Sequence, residues 1–180
     1  MDIIDIAILF DTQGILSAYP DRHQDFDEPV LVVGNKIFLI TASNRAASGL
    51  GTGHLTIKCH PTETIRWRSL ALFGSGRNSA SVYRISRCSK AAAVTENFAF
   101  LSRCTTVHPI VNFQRAADDD EPRFAQSSGL DFYFESPVPG YNTCDYKIQF
   151  YITEQDRGRG EPRIAGYFEW QPTITFAGFE

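Results

Sequence analysis

The sequence lacks the features that mark secreted, membrane-bound or nucleic-acid-binding proteins. Its longest uninterrupted apolar run covers residues 6–10, whereas a membrane-spanning helix needs roughly 20 such residues. The N-terminus has no basic region and no small-residue cleavage site, so no secretory signal is predicted. The 17 basic residues are scattered among 21 acidic ones, and the net charge is −4. Because nucleic acid favours a basic stripe, we expect a soluble, cytoplasmic protein with no membrane or nucleic-acid partner.

Cysteine is too sparse and too spread out for a disulfide framework. The four cysteines form no Cys-x-x-Cys pair: Cys59, Cys88, Cys104 and Cys144. Cys59 and His60 are neighbours in an expected strand, so their side chains face opposite ways. Cys104 and His108 lack a second pair of ligands at zinc spacing. We therefore expect free and mostly buried thiols.

No catalytic motif is present. No serine lies in a nucleophile elbow. The glycine-rich segment Gly49–Gly53 precedes a strand and has no helix N-terminus to hold a phosphate, so it is predicted to be a turn. The sequence therefore predicts neither an enzyme nor a cofactor, and a hydrolase without a recognisable motif is the least favoured alternative.

Acidic residues give only weak metal candidates. Asp21, His23, Asp25 and Asp27 recur at every second position and would share one side of an extended segment. A solvent-exposed loop without a metal ion accounts for these four residues equally well. The run Asp118–Glu121 lacks the spaced oxygens and central glycine of a calcium loop. We expect it to be a mobile, charged surface.

The clearest structural signal is alternation of apolar and polar residues. Leu55, Ile57 and Cys59 alternate with polar residues and predict one strand. After a turn, Ile65 and Trp67 alternate with arginines and predict a second strand, related to the first by a hairpin or by a corner between two sheets. Trp67 is expected to point inward and to form part of the core.

The last third of the chain repeats this pattern in three segments, 130–135, 145–152 and 168–176. Since no helices alternate with the strands, the sequence predicts an all-β, antiparallel two-sheet sandwich of jelly-roll or immunoglobulin-like kind, with long loops and little helix. At 180 residues, we expect a single domain, 1–180.

Five residues are predicted to project from the outer faces of the sheets and to form a ligand-binding or protein-binding surface: Arg66, Arg68, Tyr133, Tyr151 and Glu169. Aromatic residues and arginine are enriched at the centres of interfaces. Ordinary cross-strand pairing is the alternative explanation.

Taken in order, several segments resemble the PixA/AidA family of bacterial inclusion-body proteins. They are Ile3–Thr12, Ile15–Leu16, Tyr19–Pro20, Gln24–Asp25, Gly51–Lys58, Ile65–Arg68 and Gly166–Ile174. The family typically has a Gly-Asp turn before the Ile-Arg-Trp strand, where this chain has Thr62-Glu63. This departure is expected to alter the turn and leave the sandwich unchanged.

The resemblance implies a soluble bacterial protein, often produced under quorum-sensing or stationary-phase control, and in some members accumulated as intracellular inclusions. It carries over no catalytic residue. The favoured hypothesis is a non-enzymatic sandwich that self-associates as a dimer, with dense bodies as a further step. The alternative is a lectin-like module that binds a carbohydrate or small ligand through the loops holding Asp25, Asp27 and Asp118–Glu121.

Overall fold

A computed structural model describes residues 2–22, 24–72, 78–88, 96–97, 99–112, 123–155 and 161–179, with only the backbone described between 96 and 131. In these ranges the helix is α1 (Thr12–Ala18) and the strands are β1 (Ile3–Phe10), β2 (Val30–Leu31), β3 (Ile37–Thr41), β4 (Ala46–Ser48), β5 (His54–Lys58), β6 (Thr64–Ala71), β7 (Asn78–Cys88), β8 (Glu96–Asn97), β9 (Ala99–Asn112), β10 (Arg123–Pro137), β11 (Thr143–Glu154), β12 (Arg163–Trp170) and β13 (Thr173–Ala177). No helix in this part of the chain is long and apolar enough to cross a membrane.

The strands form two sheets. The five-stranded sheet has the order β3-β1-β6-β10-β9, and the eight-stranded sheet has the order β2-β12-β11-β13-β5-β4, with β7 beside β11 and β8 beside β7. The predicted all-β sandwich is confirmed. Its sheets are mixed, however, because β1 pairs with β6, β12 with β2 and β13 with β5 in parallel. The prediction of purely antiparallel pairing is wrong at these three places, since alternation fixes a buried face but not a neighbour's direction.

The core lies between the two sheets and is built by alternate residues. In β1, Ile4, Ile6, Ile8 and Phe10 are each 1% exposed or less, whereas the residues between them are exposed or half-buried. Across the sandwich, the ring centroid of Phe10 lies 4.5 Å from that of Phe150 on β11. These contacts seal one face of each sheet from water.

Trp67 occupies the centre of this core, as predicted. It is 1% exposed, and its ring centroid lies 5.1 Å from that of Tyr146 in the opposite sheet. The indole Nε1 lies 3.4 Å from Ser136 Oγ, a long hydrogen bond that gives this buried donor a partner. Trp170 is also buried, at 6% exposure.

The segment between β5 and β6 carries the chain from one sheet to the other, so the predicted corner is correct and the alternative hairpin is not. Glu63 is buried at this corner and is 3% exposed. Its carboxylate accepts a hydrogen bond of 2.7 Å from the His60 amide. Arg45 donates two more, of 3.1 and 2.7 Å.

The loop after α1 is anchored against the eight-stranded sheet. Asp11 caps the helix by accepting a 2.9 Å hydrogen bond from the Gly14 amide. Downstream, Arg22 donates from Nε to the Ala165 carbonyl at 2.8 Å. The loop that follows is thereby held beside β12.

The segment Gly49–Gly53 forms the predicted turn. Gly49 has a φ of +76°, and a Cβ at this position would lie 1.8 Å from the His54 carbonyl oxygen. Both the left-handed backbone and the close approach require glycine here. Within this turn, Thr52 forms an isolated antiparallel β-bridge with Leu39 on β3.

The Glu63 corner gives a pH-dependent prediction. Burial by itself raises the pKa of a carboxyl group, but the His60 amide and Arg45 outweigh it and hold the pKa of Glu63 below its ordinary value of 4.5. The corner therefore stabilises the fold above this pH, and the stabilisation is lost as the pH falls through the lowered pKa. We expect Glu63→Gln to reduce the free energy of unfolding by about 2–3 kcal/mol at neutral pH.

Urea denaturation at several pH values measures this effect. The difference between wild type and Glu63→Gln should shrink as the pH falls below 4.5. Glu154→Gln is the control, because its arginine contacts are long, at 3.7 and 3.9 Å, and the expected loss is below about 0.5 kcal/mol. Equal losses in both variants would show that Glu63 does not hold the corner.

Candidate functional site

Three tyrosines from adjacent strands form an aromatic cluster on the outer face of the eight-stranded sheet. Tyr151 on β11 pairs in register with Tyr167 on β12, and their ring centroids are 6.2 Å apart. Tyr83 on β7 lies 6.4 Å from Tyr151 and 5.9 Å from Tyr167. All three rings are half-buried, so each keeps a surface open to solvent.

A β-bulge brings Tyr83 into this cluster. Gln149 is opposite Arg84, but the next residue, Phe150, is opposite Val82, so Tyr83 is the extra residue of β7. A bulge re-aims side chains that strict alternation would send to the other face. Tyr83 and Arg84 consequently both contact the outer cluster, although they are consecutive.

Phe26, from the loop after α1, lies on top of Tyr83. The two ring centroids are 4.5 Å apart, and the Tyr83 hydroxyl donates to the Phe26 carbonyl at 3.2 Å. The Arg84 guanidinium carbon lies 5.4 Å from the Phe26 ring centroid. Phe26 remains 42% exposed. We call Phe26, Tyr83, Tyr151 and Tyr167 the tyrosine face.

The phenol of Tyr83 stays protonated well above neutral pH. Burial raises its pKa above the ordinary value of 10.0, and the positive charge of Arg84 only partly offsets this effect. The hydroxyl is therefore a donor under physiological conditions. The hydroxyls of Tyr151 and Tyr167 make no hydrogen bond with any described residue, so they are open to an incoming group.

A row of polar side chains borders the tyrosine face. Arg84 donates to Gln149 at 3.1 Å, and Gln149 donates to the Glu169 carboxylate at 3.1 Å. The same carboxylate accepts from Gln171 at 2.7 Å and lies 3.2 Å from the Lys147 ammonium. Glu169 is only 8% exposed. It is thus a satisfied, buried anion that holds the centre of the outer face in place.

The other predicted surface residues lie on the five-stranded sheet. The guanidinium carbons of Arg66 and Arg68 lie 4.3 and 5.5 Å from the ring centroid of Tyr133. Arg66 also pairs with Glu135 at 2.7 Å, and Arg68 with Asp5 at 3.2 Å. Tyr133 is only 7% exposed. The five predicted residues therefore form two separate groups, and Tyr133 and Glu169 are more deeply buried than a contact surface requires.

The weak metal candidates do not come together in the described residues. Asp25 accepts a 2.8 Å hydrogen bond from the Asp27 amide, so the chain bends here instead of aligning its carboxylates with Asp21. His23 and the run 118–121 lie outside the described residues. Within the described part of the chain, no three His, Cys, Asp or Glu side chains are placed to share a metal ion.

Three cysteines are described, and all are free thiols: Cys59, Cys88 and Cys144. Cys59 is fully buried, whereas His60 is exposed, in agreement with their predicted opposite orientation. Burial raises the pKa of all three thiols. They are therefore protonated and poorly nucleophilic at neutral pH. The side chains of Cys104 and His108 are not described.

Sequence reasoning missed Phe26, Tyr83, Arg84 and Tyr167. Tyr167 alternates with Glu169 and could have been found from the same period that identified Glu169. Tyr83 and Arg84 depend on the bulge, and Phe26 depends on how its loop packs. None of these leaves a periodic signal.

Comparison with known proteins decides the family. The family model of PixA, an inclusion body protein, matches residues 2–176 of this chain. The chain belongs to the PixA inclusion body protein family. The search of curated proteins returned no match.

A solved member of the PixA family has the same fold. The crystal structure of the inclusion body protein PixA from Burkholderia cenocepacia J2315 superposes with a TM-score of 0.69 and 19% sequence identity. The similarity covers 98% of this chain and 96% of that chain. At this identity the likeness concerns the fold, and the tyrosine face is described for the present chain alone.

The hydrogen bonds within the polar row predict that replacing Glu169 destabilises the fold. Gln149, Gln171 and Lys147 all act as donors to Glu169. In Glu169→Gln, the new amide N–H group faces at least one of these donors. We expect a loss of about 1–3 kcal/mol in the free energy of unfolding by urea denaturation.

The matched control for this substitution is Glu135→Gln on the other sheet. Glu135 contacts Arg66 through Oε1 alone, so a glutamine can keep its carbonyl oxygen toward the arginine. The expected loss is below about 1 kcal/mol. A larger loss in Glu135→Gln than in Glu169→Gln would overturn the role assigned to the row.

Proposed function

We propose that this chain acts without catalysis, by associating with copies of itself through the tyrosine face. The first product is a dimer, and further association gives dense intracellular bodies. An intracellular location and production under quorum-sensing or stationary-phase control, which the family resemblance implies, belong to the same proposal. Membership of the inclusion body protein family supports it.

The observation that carries the proposal is the composition of the tyrosine face. Tyrosine and arginine are the residues most enriched at the energetic centres of interfaces, because they supply large rigid area and a polar group together. Here three tyrosines and Phe26 lie within ring-contact distance of one another. Arg84 lies directly beside them.

The neighbouring edge strand enlarges this surface. Leu31 on β2 is opposite Glu169 in register and is 47% exposed. Two residues further on, Val33 is 64% exposed. The polar row therefore has aromatic rings along one side and the exposed Leu31 at its β2 end, and such a mixture of aromatic, aliphatic and polar groups is typical of a protein interface.

A sheet face suits association between identical chains. In a two-fold dimer, the same patch serves both subunits, so a surface needs only to be complementary to itself. Aromatic rings and the hydroxyls of Tyr151 and Tyr167 can pair with their own copies. The proposal therefore needs no second protein.

The test is the oligomeric state of wild type and of the double variant Tyr151→Ser, Tyr167→Ser. Light scattering after size-exclusion chromatography over a wide concentration range should show a dimer for the wild type. The double variant should dissociate at concentrations at least about tenfold higher, since each lost hot-spot tyrosine costs more than about 1 kcal/mol.

Tyr141→Ser is the matched control. Tyr141 is 57% exposed and precedes the opposite end of β11, far from Tyr151. This variant should associate like the wild type. A wild type that is monomeric at every concentration, or a double variant with unchanged association, would refute the proposal.

The same surface supports carbohydrate binding as a second candidate. A sugar ring packs its C–H face on aromatic rings, while planar amide, carboxylate and guanidinium groups hydrogen-bond its hydroxyls. Tyr151 and Tyr167 lie next to Gln149, Glu169 and Arg84 in this way. This arrangement differs from the acidic loops that the sequence suggested.

A glycan array separates the two candidates. If the tyrosine face binds sugars, the signal should survive calcium chelation, because its groups need no bridging ion, and should be lost in Tyr151→Ser, Tyr167→Ser. Tyr141→Ser should retain the signal. An array without any bound glycan would reject carbohydrate binding and leave self-association untouched.

A further inference from the structure

A cavity of about 520 Å³ opens between the two sheets, on the side where β6 and β10 face β7. Ile8, Trp67 and Phe134 contribute its walls from the five-stranded sheet. Val82 and Ile85 on β7 contribute the opposite wall. Its volume lies within the range of small-molecule sites, roughly 300–1,000 Å³.

No charged side chain from the described residues is turned toward this cavity. Arg68 is the only charged residue in the described lining. It follows Trp67 on β6, however, so its side chain is directed to the outer face. There it contacts Asp5 and the ring of Tyr133. Arg68 therefore meets the cavity through its backbone.

One polar side chain does share the inner face. Ser69 comes two residues after Trp67 on β6 and lines the cavity, so the two side chains are on the same side of the strand. Its hydroxyl makes no hydrogen bond with any described residue. It can donate to or accept from a single group of a bound molecule.

The mouth of the cavity is aromatic. Phe132 lines it and is 52% exposed, a large apolar area for a residue at the rim. The walls are apolar at Ile8, Trp67, Phe134, Val82 and Ile85, although polar groups also line the cavity, so the cavity suits an apolar molecule that carries a hydrogen-bonding group. Covering Phe132 with such a molecule removes further apolar area from water.

We infer that this inter-sheet cavity binds an uncharged, ring-containing apolar molecule that carries one hydrogen-bonding group for Ser69. Tyr151 also lines the cavity, but its ring packs beside Tyr167 in the tyrosine face, because Tyr151 alternates with the buried Phe150 and Ile152 on β11. A charged relative of the same molecule is excluded, because the described lining turns no countercharge inward.

The probes are N-phenylnaphthylamine, which is neutral and has one N–H group, and its sulfonated analogue anilinonaphthalene sulfonate. The two share their rings and differ by one charge. In the folded full chain with Trp170→Phe, Trp67 is the only tryptophan. The neutral probe should quench its emission with saturation, and the sulfonate should bind at least about tenfold more weakly.

Two Val→Phe substitutions, one inside the cavity and one outside it, locate the binding site. Val82→Phe fills the cavity and should raise the dissociation constant of the neutral probe at least about tenfold. Val33→Phe adds the same ring in a different pocket, which position 170 also lines, and should leave binding within about twofold. If Val82→Phe fails to fold, as judged by circular dichroism, Ala80→Leu takes its place, since Ala80 also lines the cavity.

Three results would overturn the inference: no saturable quenching, equal binding of both probes, or loss of binding in Val33→Phe but not in the cavity variants. Binding in the Tyr167→Ser background distinguishes this site from the proposed self-association, because Tyr167 belongs to the tyrosine face and lies outside the described lining of the cavity. A probe held at a dimer interface would be lost there, whereas a probe in the inter-sheet cavity would be retained.

Discussion

The carboxylate of Glu63 fixes the point at which the chain passes from one sheet to the other. It accepts hydrogen bonds from Arg45, which precedes β4, and from the amide of His60 in the corner itself. The Glu63 carbonyl also accepts from the Val138 amide, just after β10. Three distant parts of the chain therefore meet at one buried residue, and leaving any of these donors unpaired costs more than the net value of the bond.

This corner sets the register of β6. The Thr64 amide donates to the Asp2 carbonyl, and from there β6 runs parallel to β1. A shift of one residue would send Trp67 to solvent and Arg66 into the core.

Much of the fold was predictable, because burial on one face imposes a period of two on a strand. The strand β11, the inward residues of β12 and β13 on either side of Pro172, and the inward orientation of Trp67 follow from that period, whereas the choice between a hairpin and a corner after β5 does not. The direction of neighbouring strands does not follow from the period, because the three parallel pairings depend on how distant segments meet. Alternation also could not show that neighbouring side chains cover Tyr133 and Glu169, which are 7% and 8% exposed.

The bulge in β7 cannot be predicted from the alternation of residues. Both the tyrosine face and the inter-sheet cavity depend on it. Without it, Tyr83 would alternate with Arg84, and one of the two would face the core. With it, Val82 and Ile85 stay inside while Tyr83 and Arg84 reach the outer face. Adjacent residues of one strand thus belong to different surfaces, because Val82 lines the cavity and Tyr83 belongs to the tyrosine face. The same irregularity lies next to Val82, which lines the cavity, so the bulge adjoins both surfaces.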